Sequence, residues 1–133
     1  MHVGIQPYTI RNIEEPLAAK LGRVARAGYD GVELGPDANT DAVRDALADH
    51  DLVVSSVGSG LDALEDDDGL DAHRAASEAF GTDDVVVMWV DVDGFETYEA
   101  VEETAARLSE WADRLADHGL RLHYHNHAHE FTD

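Results

Sequence analysis

Histidines and a glutamate are concentrated in residues 121–131. Successive side chains of a strand point to opposite faces, so His123, His125 and His127 would share one face of a strand there. Glu130 follows at the carboxyl end of that strand, the end at which parallel α/β sheets bind ligands. Imidazoles and carboxylates hold divalent metals and move protons, so this segment is the candidate site, with His125 and Glu130 as its predicted catalytic groups.

Three earlier side chains stand in or at the ends of predicted strands and could line the same site. Gln6 ends a short first strand, Glu33 lies in the second, and Trp89 is near the end of the fourth. Carboxylates and imidazoles from several strand ends suit a hard divalent metal that binds two neighbouring substrate oxygens. Chelation of those oxygens acidifies the hydrogen on the carbon between them, and a nearby Glu or His can move that proton. The predicted chemistry is isomerisation or epimerisation.

Each of these residues also has a purely structural interpretation. Histidines fill polar interiors or exposed edges without metal, and His129 could be a solvated loop residue. Trp89 is more often core packing than a sugar platform. For any single histidine the structural interpretation is favoured, whereas for the whole cluster with Glu130 the functional one is.

Two other polar segments carry weaker signals. The loop at residues 58–60 has two glycines but lacks the lysine of a P-loop and the third glycine of a dinucleotide fingerprint. Residues 66–68 are three aspartates without the alternating ligands and distal glutamate of a calcium loop. We expect the first to bind no phosphate and the second to be a solvated loop.

Hydrophobic periodicity predicts five strands that alternate with four helices. Such alternation implies right-handed crossovers and a parallel sheet. Two folds fit: an open doubly wound sheet, which 133 residues suit, and a (β/α)8 barrel, which usually takes ~250 residues and would be about half present. The predicted strands lie within residues 2–9, 29–35, 51–58, 84–90 and 121–127, and the helices within 14–28, 39–47, 70–80 and 95–118.

Composition limits the classes of partner. The chain suits one domain, and without cysteine any metal must be held by His, Asp or Glu. Its 29 acidic and 9 basic residues give a formal net charge of -20, which disfavours nucleic acid and anionic membranes. Such self-repulsion is tolerable at high ionic strength, so we expect a halophilic protein in a salt-rich cytosol. No apolar stretch approaches the roughly 20 residues of a membrane span, and a cytoplasmic location is expected.

Three segments resemble the sugar phosphate isomerase/epimerase family of xylose isomerase-like TIM barrels. They are GIQPYT at residues 4–9, AGYDGVEL at 27–34 and LHYHNHAHEF at 122–131, of which the last is the most specific. The resemblance implies that residues 1–133 form a single domain, the amino-terminal portion of such a barrel with about five of its eight strands. It further implies a divalent metal (Mn, Mg, Co or Zn), a small-molecule sugar, sugar phosphate or polyol, and a mouth lined by Glu33 and residues 125–130.

The family completes its metal shell with Asp, His and Glu from later strands. Glu130 is therefore the one metal ligand expected within this chain, while Gln6, Glu33, Trp89 and His127 are expected to bind substrate. The enzyme is expected to be incomplete as this chain alone. The alternative is a non-catalytic remnant or subunit, either a homodimer or one half of a barrel that a complementing second chain completes.

Overall fold

The computed structural model describes residues 2–131 and contains one parallel sheet with five strands in sequential order. All four strand pairs are parallel, and each consecutive pair is joined by a helix, which confirms the partial barrel. The strands are β1 (Gly4–Ile5), β2 (Gly31–Leu34), β3 (Val53–Ser59), β4 (Asp84–Val87) and β5 (Arg121–Tyr124), and the helices are α1 (Leu17–Arg26), α2 (Asp41–Asp49), α3 (Asp67–Phe80) and α4 (Tyr98–Ala116).

Short polar side chains begin three of the helices. The side chains of Thr40, Asp66 and Thr97 accept hydrogen bonds from the backbone N–H three residues later in α2, α3 and α4, respectively. Gly81 ends α3 with a φ of 69°, a left-handed conformation that glycine adopts without steric cost. Residues 66–68 were predicted to form a solvated loop, which is wrong: Asp66 caps α3, and Asp67 and Asp68 form its first turn.

All four helices pack against one face of the sheet. Side chains of β2 and of the first half of β3 form a core with α1 and α2, and those of β4 and the rest of β3 form a second core with α3 and α4. On the opposite, concave face, Val53 is 58% exposed. The two cores are built around Leu21, Val24, Val32, Val43 and Val54, and around Val57, Leu64, Val85, Val87 and Leu115.

The strands are shorter than predicted, and their carboxyl ends run into short 3-10 turns at one edge of the sheet. These turns are Pro7–Ile10, Pro36–Ala38, Asp62–Leu64, Val92–Phe95 and His129–Phe131. Each follows a strand and precedes a helix or the described end, so the residues predicted to form the site lie at this edge. Among residues 2–131, no helix is long and apolar enough to cross a bilayer.

Candidate functional site

Strand β5 places His123 on the opposite face from Leu122 and Tyr124, as the alternation predicted. Leu122 and Tyr124 pack against the core formed with α3 and α4. His123 points to the other face, where its Nε2 lies 2.7 Å from Oδ1 of Asp84 in the neighbouring strand. Regular strand ends at Tyr124, so the alternation that placed His127 beside His123 does not continue.

A buried carboxylate fixes the segment that follows β5. Oε1 of Glu130 accepts a 2.6 Å hydrogen bond from the Tyr124 hydroxyl, and Oε2 accepts a 2.5 Å bond from the backbone N–H of His127. The Glu130 side chain is 5% exposed. Burial acts to raise the pKa of Glu130, but the hydrogen bonds from Tyr124 and from backbone N–H groups outweigh it, and this pKa lies below its ordinary value. The carboxylate is therefore charged and held in place.

The pKa of Tyr124 is shifted in the opposite direction to that of Glu130. Burial raises the pKa of its hydroxyl well above the ordinary value, and the hydrogen bond and negative charge of Glu130 raise it further. The hydroxyl therefore stays protonated and remains a hydrogen-bond donor to Glu130 at every pH at which the protein would function.

Three imidazoles stack beyond the end of β5. The ring centroids of His125 and His127 are 4.8 Å apart, and those of His127 and His129 are 5.6 Å apart. The Trp89 indole lies against this stack, 4.6 Å from the ring of His127 and 4.6 Å from that of His129. Its Nε1 donates a hydrogen bond to Asp91. Trp89 is 45% exposed, so it borders the site instead of filling the core.

His127, His129 and Glu130 form a candidate metal centre. One ligand atom from each lies within 4.8 Å of the others. Oε1 of Glu130 is 3.8 Å from Nδ1 of His127 and 3.7 Å from Nε2 of His129. Two ligands of one tetrahedral zinc stand roughly 3.3–3.5 Å apart, given metal–ligand bonds of about 2.0–2.2 Å. The two distances from Glu130 are close to this value, whereas ligand atoms as far as 4.8 Å apart would have to approach each other by more than 1 Å around an ion.

The hydrogen bonds of His127 and His129 indicate how well these side chains could bind a metal ion. Nδ1 of His127 is buried and has no hydrogen-bond partner within the part of the chain that the structure describes. A buried nitrogen without a partner is costly, and a metal would satisfy it. Nε2 of His129 lies 3.1 Å from the carbonyl oxygen of Val90, which an ion at this nitrogen would have to displace. The donor set of two imidazoles and one carboxylate fits a divalent transition metal.

Glu33 forms a second polar centre at the same edge of the sheet. Its Oε2 accepts a 2.9 Å hydrogen bond from the Ser56 hydroxyl, and its Oε1 accepts a 3.3 Å bond from Nε2 of Gln6. One cavity of about 340 Å³ is lined by Gln6, Glu33 and His125. A second cavity of about 380 Å³ is lined by Glu33, Met88 and Trp89.

The six predicted site residues thus form one continuous neighbourhood. Gln6, Glu33 and His125 share a cavity, His125 stacks on His127, and His127 contacts both Trp89 and Glu130. The sequence interpretation missed Ser56, Tyr124 and the ligand position of His129. The repeated spacing of histidines at every second residue from 123 to 129 was a usable signal for His129. Ser56 and Tyr124 had no such signal, because each acts through a contact made only in three dimensions.

Solved structures share this fold at low identity. A probable 3-DHS dehydratase, AsbF, involved in petrobactin synthesis from Bacillus anthracis, matches with a TM-score of 0.69 and 15% identity over 92% of this chain and 51% of its own. An AP endonuclease of family 2 from Brucella melitensis gives 0.67 and 22% over 93% and 55%. The IolI protein with a bound zinc atom gives 0.61 and 17% over 93% and 51%. The chain therefore spans about half the length of each.

A search of the curated proteins returned no match. The family model described as xylose isomerase-like TIM barrel matches residues 21–133, which include four of the five strands, Glu33 with Ser56, and the histidines at 123–129. Together with the parallel sheet and the residues gathered at its carboxyl edge, this match shows that the chain belongs to the xylose isomerase-like TIM barrel family.

Proposed function

We propose that the chain carries the metal centre and part of the substrate mouth of an isomerase or epimerase that acts on a sugar, sugar phosphate or polyol. The observation that carries this proposal is the buried, unpartnered Nδ1 of His127, 3.8 Å from the charged Glu130 carboxylate and beside Trp89. The zinc atom in the IolI structure supports the metal. The dehydratase and endonuclease among the similar structures show that this fold serves other reactions, so the chemistry is argued from the site.

Each residue has a separate task in the proposed site. His127, His129 and Glu130 would hold the ion, which supplies polarisation of substrate oxygens when it is bound. Tyr124 holds the Glu130 carboxylate in position through its 2.6 Å hydrogen bond. The exposed face of Trp89 provides an apolar platform for the carbon face of a sugar.

The cavity beside the metal centre would bind the hydroxyl groups of the substrate. Gln6 and His125 line this cavity, and both side chains can donate and accept hydrogen bonds. His125 is the imidazole nearest to the reacting carbons in this arrangement, since it joins the cavity to the stack with His127. In the proposed reaction His125 orients the oxygens that are bonded to the reacting carbons.

Metal binding tests the centre directly. The chain is purified in high salt, freed of metal with a chelator and titrated calorimetrically with Mn²⁺, Mg²⁺, Co²⁺ and Zn²⁺. We expect binding of one ion per chain, which His127→Ala and Glu130→Gln each abolish. His123→Ala is the matched control, because His123 points to the concave face and contacts Asp84. Equal binding by all three variants, or none by the intact chain, would refute the centre.

Catalysis is tested with the metal-loaded chain and a panel of aldoses, ketoses, their phosphates and cyclic polyols. Formation of an isomer or epimer is followed by NMR spectroscopy. The sequence predicted an incomplete enzyme with one metal ligand, but this chain gathers three candidate ligands, so we expect conversion of at least one compound, lost in the Glu130→Gln variant. A panel that stays unconverted with metal bound would contradict the enzymatic part of the proposal.

The open strands favour a second candidate role, association with a chain that completes the barrel. Within residues 2–131, β1 pairs only with β2 and β5 only with β4, and the concave face carries the exposed Val53. Parallel sheets are normally covered on both faces. Sedimentation across a range of protein concentrations in high salt tests this role. A constant monomer mass would argue against self-association.

A further inference from the structure

Two carboxylates at the carboxyl edge of the sheet have opposite surroundings. The side chain of Glu130 is 5% exposed, both of its oxygens accept short hydrogen bonds, and it borders neither of the two cavities at the mouth. Glu33 borders both cavities. A group that exchanges a proton with a bound molecule must lie within hydrogen-bond reach of it. Glu33 lines the space that a molecule could occupy in either cavity, and Glu130 lines neither.

Ser56 fixes the direction in which Glu33 points. The Ser56 hydroxyl is on a residue that is 6% exposed, and it donates the 2.9 Å hydrogen bond to Oε2 of Glu33. The bond from Gln6 to Oε1 is longer, at 3.3 Å. A carboxylate offers about four lone pairs, so these two bonds leave the carboxylate able to accept a proton from a ligand. The register shift between β2 and β3 at Val32/Glu33 brings Ser56 opposite Glu33.

Small residues leave room for a substrate beside Glu33. Gly58 and Gly60 line the cavity of about 380 Å³ together with Glu33 and Trp89. No heavy atom lies within 4 Å of where a side chain would begin at Gly60, and at Gly58 only the Met88 side chain does, at 3.5 Å. A carbon of a ligand can therefore lie between the carboxylate and the indole without displacing backbone.

We propose that Glu33 is the carboxylate that takes the proton from the substrate carbon, and that Ser56 is its positioning residue. This inference rests on the proposed isomerase function and names the proton-transfer group of that same site. One C–H bond next to the carbonyl breaks, and its proton bonds to an oxygen of Glu33. The electron pair forms a C=C bond, and the carbonyl π pair moves onto the carbonyl oxygen. Return of the proton to the same carbon regenerates the carbonyl compound. Its delivery to the former carbonyl carbon gives the isomer, because the neighbouring hydroxyl then passes its proton to the former carbonyl oxygen and becomes the new carbonyl.

Hydrogen exchange at carbon tests the assignment without requiring net conversion. The metal-loaded chain is incubated in D2O with the aldoses, ketoses and sugar phosphates of the panel, whose carbonyl groups acidify the neighbouring C–H bond, and loss of the carbon-bound proton signal is followed by NMR spectroscopy. Glu33→Gln, which keeps the shape and an acceptor for Ser56, should slow exchange by about 10²–10⁴-fold. Its affinity for metal should equal that of the unaltered chain, since Glu33 is not a ligand of the centre.

Two further variants distinguish positioning from folding. Ser56→Ala should lower kcat for exchange by about 10-fold with little change in KM, and Ser56→Thr, which restores the hydroxyl, should recover most of the loss.

Asp37→Asn is the control for Glu33→Gln. It removes another carboxylate at the carboxyl ends of the strands that borders neither cavity, so exchange should be unchanged.

The outcomes separate this inference from the function on which it rests. Exchange by the unaltered chain that persists in Glu33→Gln would overturn the role of Glu33 and leave the isomerase proposal standing. Exchange that falls equally in Ser56→Ala and Ser56→Thr would overturn the positioning role of Ser56. No exchange with any panel member by the metal-loaded chain would overturn the proposed function, and the role of Glu33 with it.

Discussion

The Tyr124 hydroxyl lies 2.6 Å from Oε1 of Glu130, so a residue on the helix-facing side of β5 controls a carboxylate six positions later. This bond turns the chain back after His125 and brings His127 and His129 against Trp89. The geometry of the candidate metal centre therefore depends on a side chain that would not itself touch the metal or substrate.

Tyr124→Phe removes one hydroxyl from this arrangement. The Glu130 carboxylate is buried and charged, and a hydrogen bond to such a group contributes about 1.5–3 kcal/mol. We expect the free energy of unfolding to fall by that amount, as measured by urea denaturation in high salt. Tyr98→Phe is the matched control, because Tyr98 is 79% exposed, and its effect should stay within about 0.5 kcal/mol. Equal losses in both variants would contradict this account.

Much of the fold was predictable because its signals are local. The buried valines of β3 and β4 and the glycine stops after α1, α3 and α4 mark elements through periodicity and backbone conformation alone. Asp66 was misinterpreted, because three successive acids have the composition of a solvated loop whether or not the first of them caps a helix.

The site was predictable in its residue types and less so in its geometry. Strand alternation correctly separated His123 from Tyr124, but it fails beyond Tyr124, where the chain leaves the sheet. The partnership of Ser56 with Glu33 depends on how β3 pairs with β2, and the burial of Glu130 depends on Tyr124 reaching it from the helical side. Such contacts are tertiary, and no spacing within the sequence specifies them.

Gly69 provides a test of packing against helix propensity. It is in the first turn of α3, where alanine normally stabilises a helix by about 1 kcal/mol relative to glycine. A Cβ at Gly69, however, would lie 1.9 Å from the backbone oxygen of Ala63. The clash should reverse the sign, so Gly69→Ala should lower the free energy of unfolding by about 1–3 kcal/mol.

Gly60→Ala is the control for this substitution, since a Cβ there meets no atom within 4 Å. It should leave the free energy of unfolding unchanged or raise it by up to about 1 kcal/mol. Denaturant titrations of the two variants under identical salt conditions make the comparison. If Gly69→Ala were stabilising, the backbone at Ala63 would have moved away from the added methyl group, and the predicted clash would be wrong.

His73 makes stability depend on pH near neutrality. It is 2% exposed, its Nδ1 donates a 2.7 Å hydrogen bond to the carbonyl of Gly69, and its Nε2 has no partner within residues 2–131. Burial lowers the pKa of His73 despite that backbone bond, which acts to raise it. The His73 imidazole therefore becomes protonated near pH 6.5 in the unfolded chain, but only at a lower pH in the folded chain.

The stabilisation from neutral His73 is thus complete above about pH 6.5 and is lost progressively as the pH falls toward the pKa in the folded state. One such group gives a slope of up to about 1.4 kcal/mol per pH unit. We expect this slope in the free energy of unfolding as the pH falls below about 6.5 toward the lowered pKa of the folded state, measured by urea denaturation in high salt. His73→Leu should remove that part of the slope, and an unchanged slope would exclude His73 as its source.

Asp84, on the concave face, makes stability depend on pH in a separate, acidic range. Nε and Nη2 of Arg121 donate 2.9 and 3.1 Å hydrogen bonds to its two oxygens, and His123 lies 2.7 Å from one of them. The bonds to Arg121 and then His123 hold the pKa of Asp84 below its ordinary value, against burial, which raises it. The pairing therefore stabilises the fold above the unfolded-state pKa of about 3.9 and is lost as the pH falls through the lower folded-state pKa.

Arg121→Gln should therefore have a pH-dependent cost. Arg121 is largely exposed, so at pH 6 we expect the variant to lose about 0.2–1 kcal/mol of unfolding free energy, and less as salt is added. The difference from the unaltered chain should shrink toward zero once acid protonates Asp84 below pH 3.9. Urea denaturation of both proteins at intervals from pH 6 down to 2.5 measures that difference. If it stayed constant across this range, the guanidinium of Arg121 would be acting through packing of its side chain and not through the charge of Asp84.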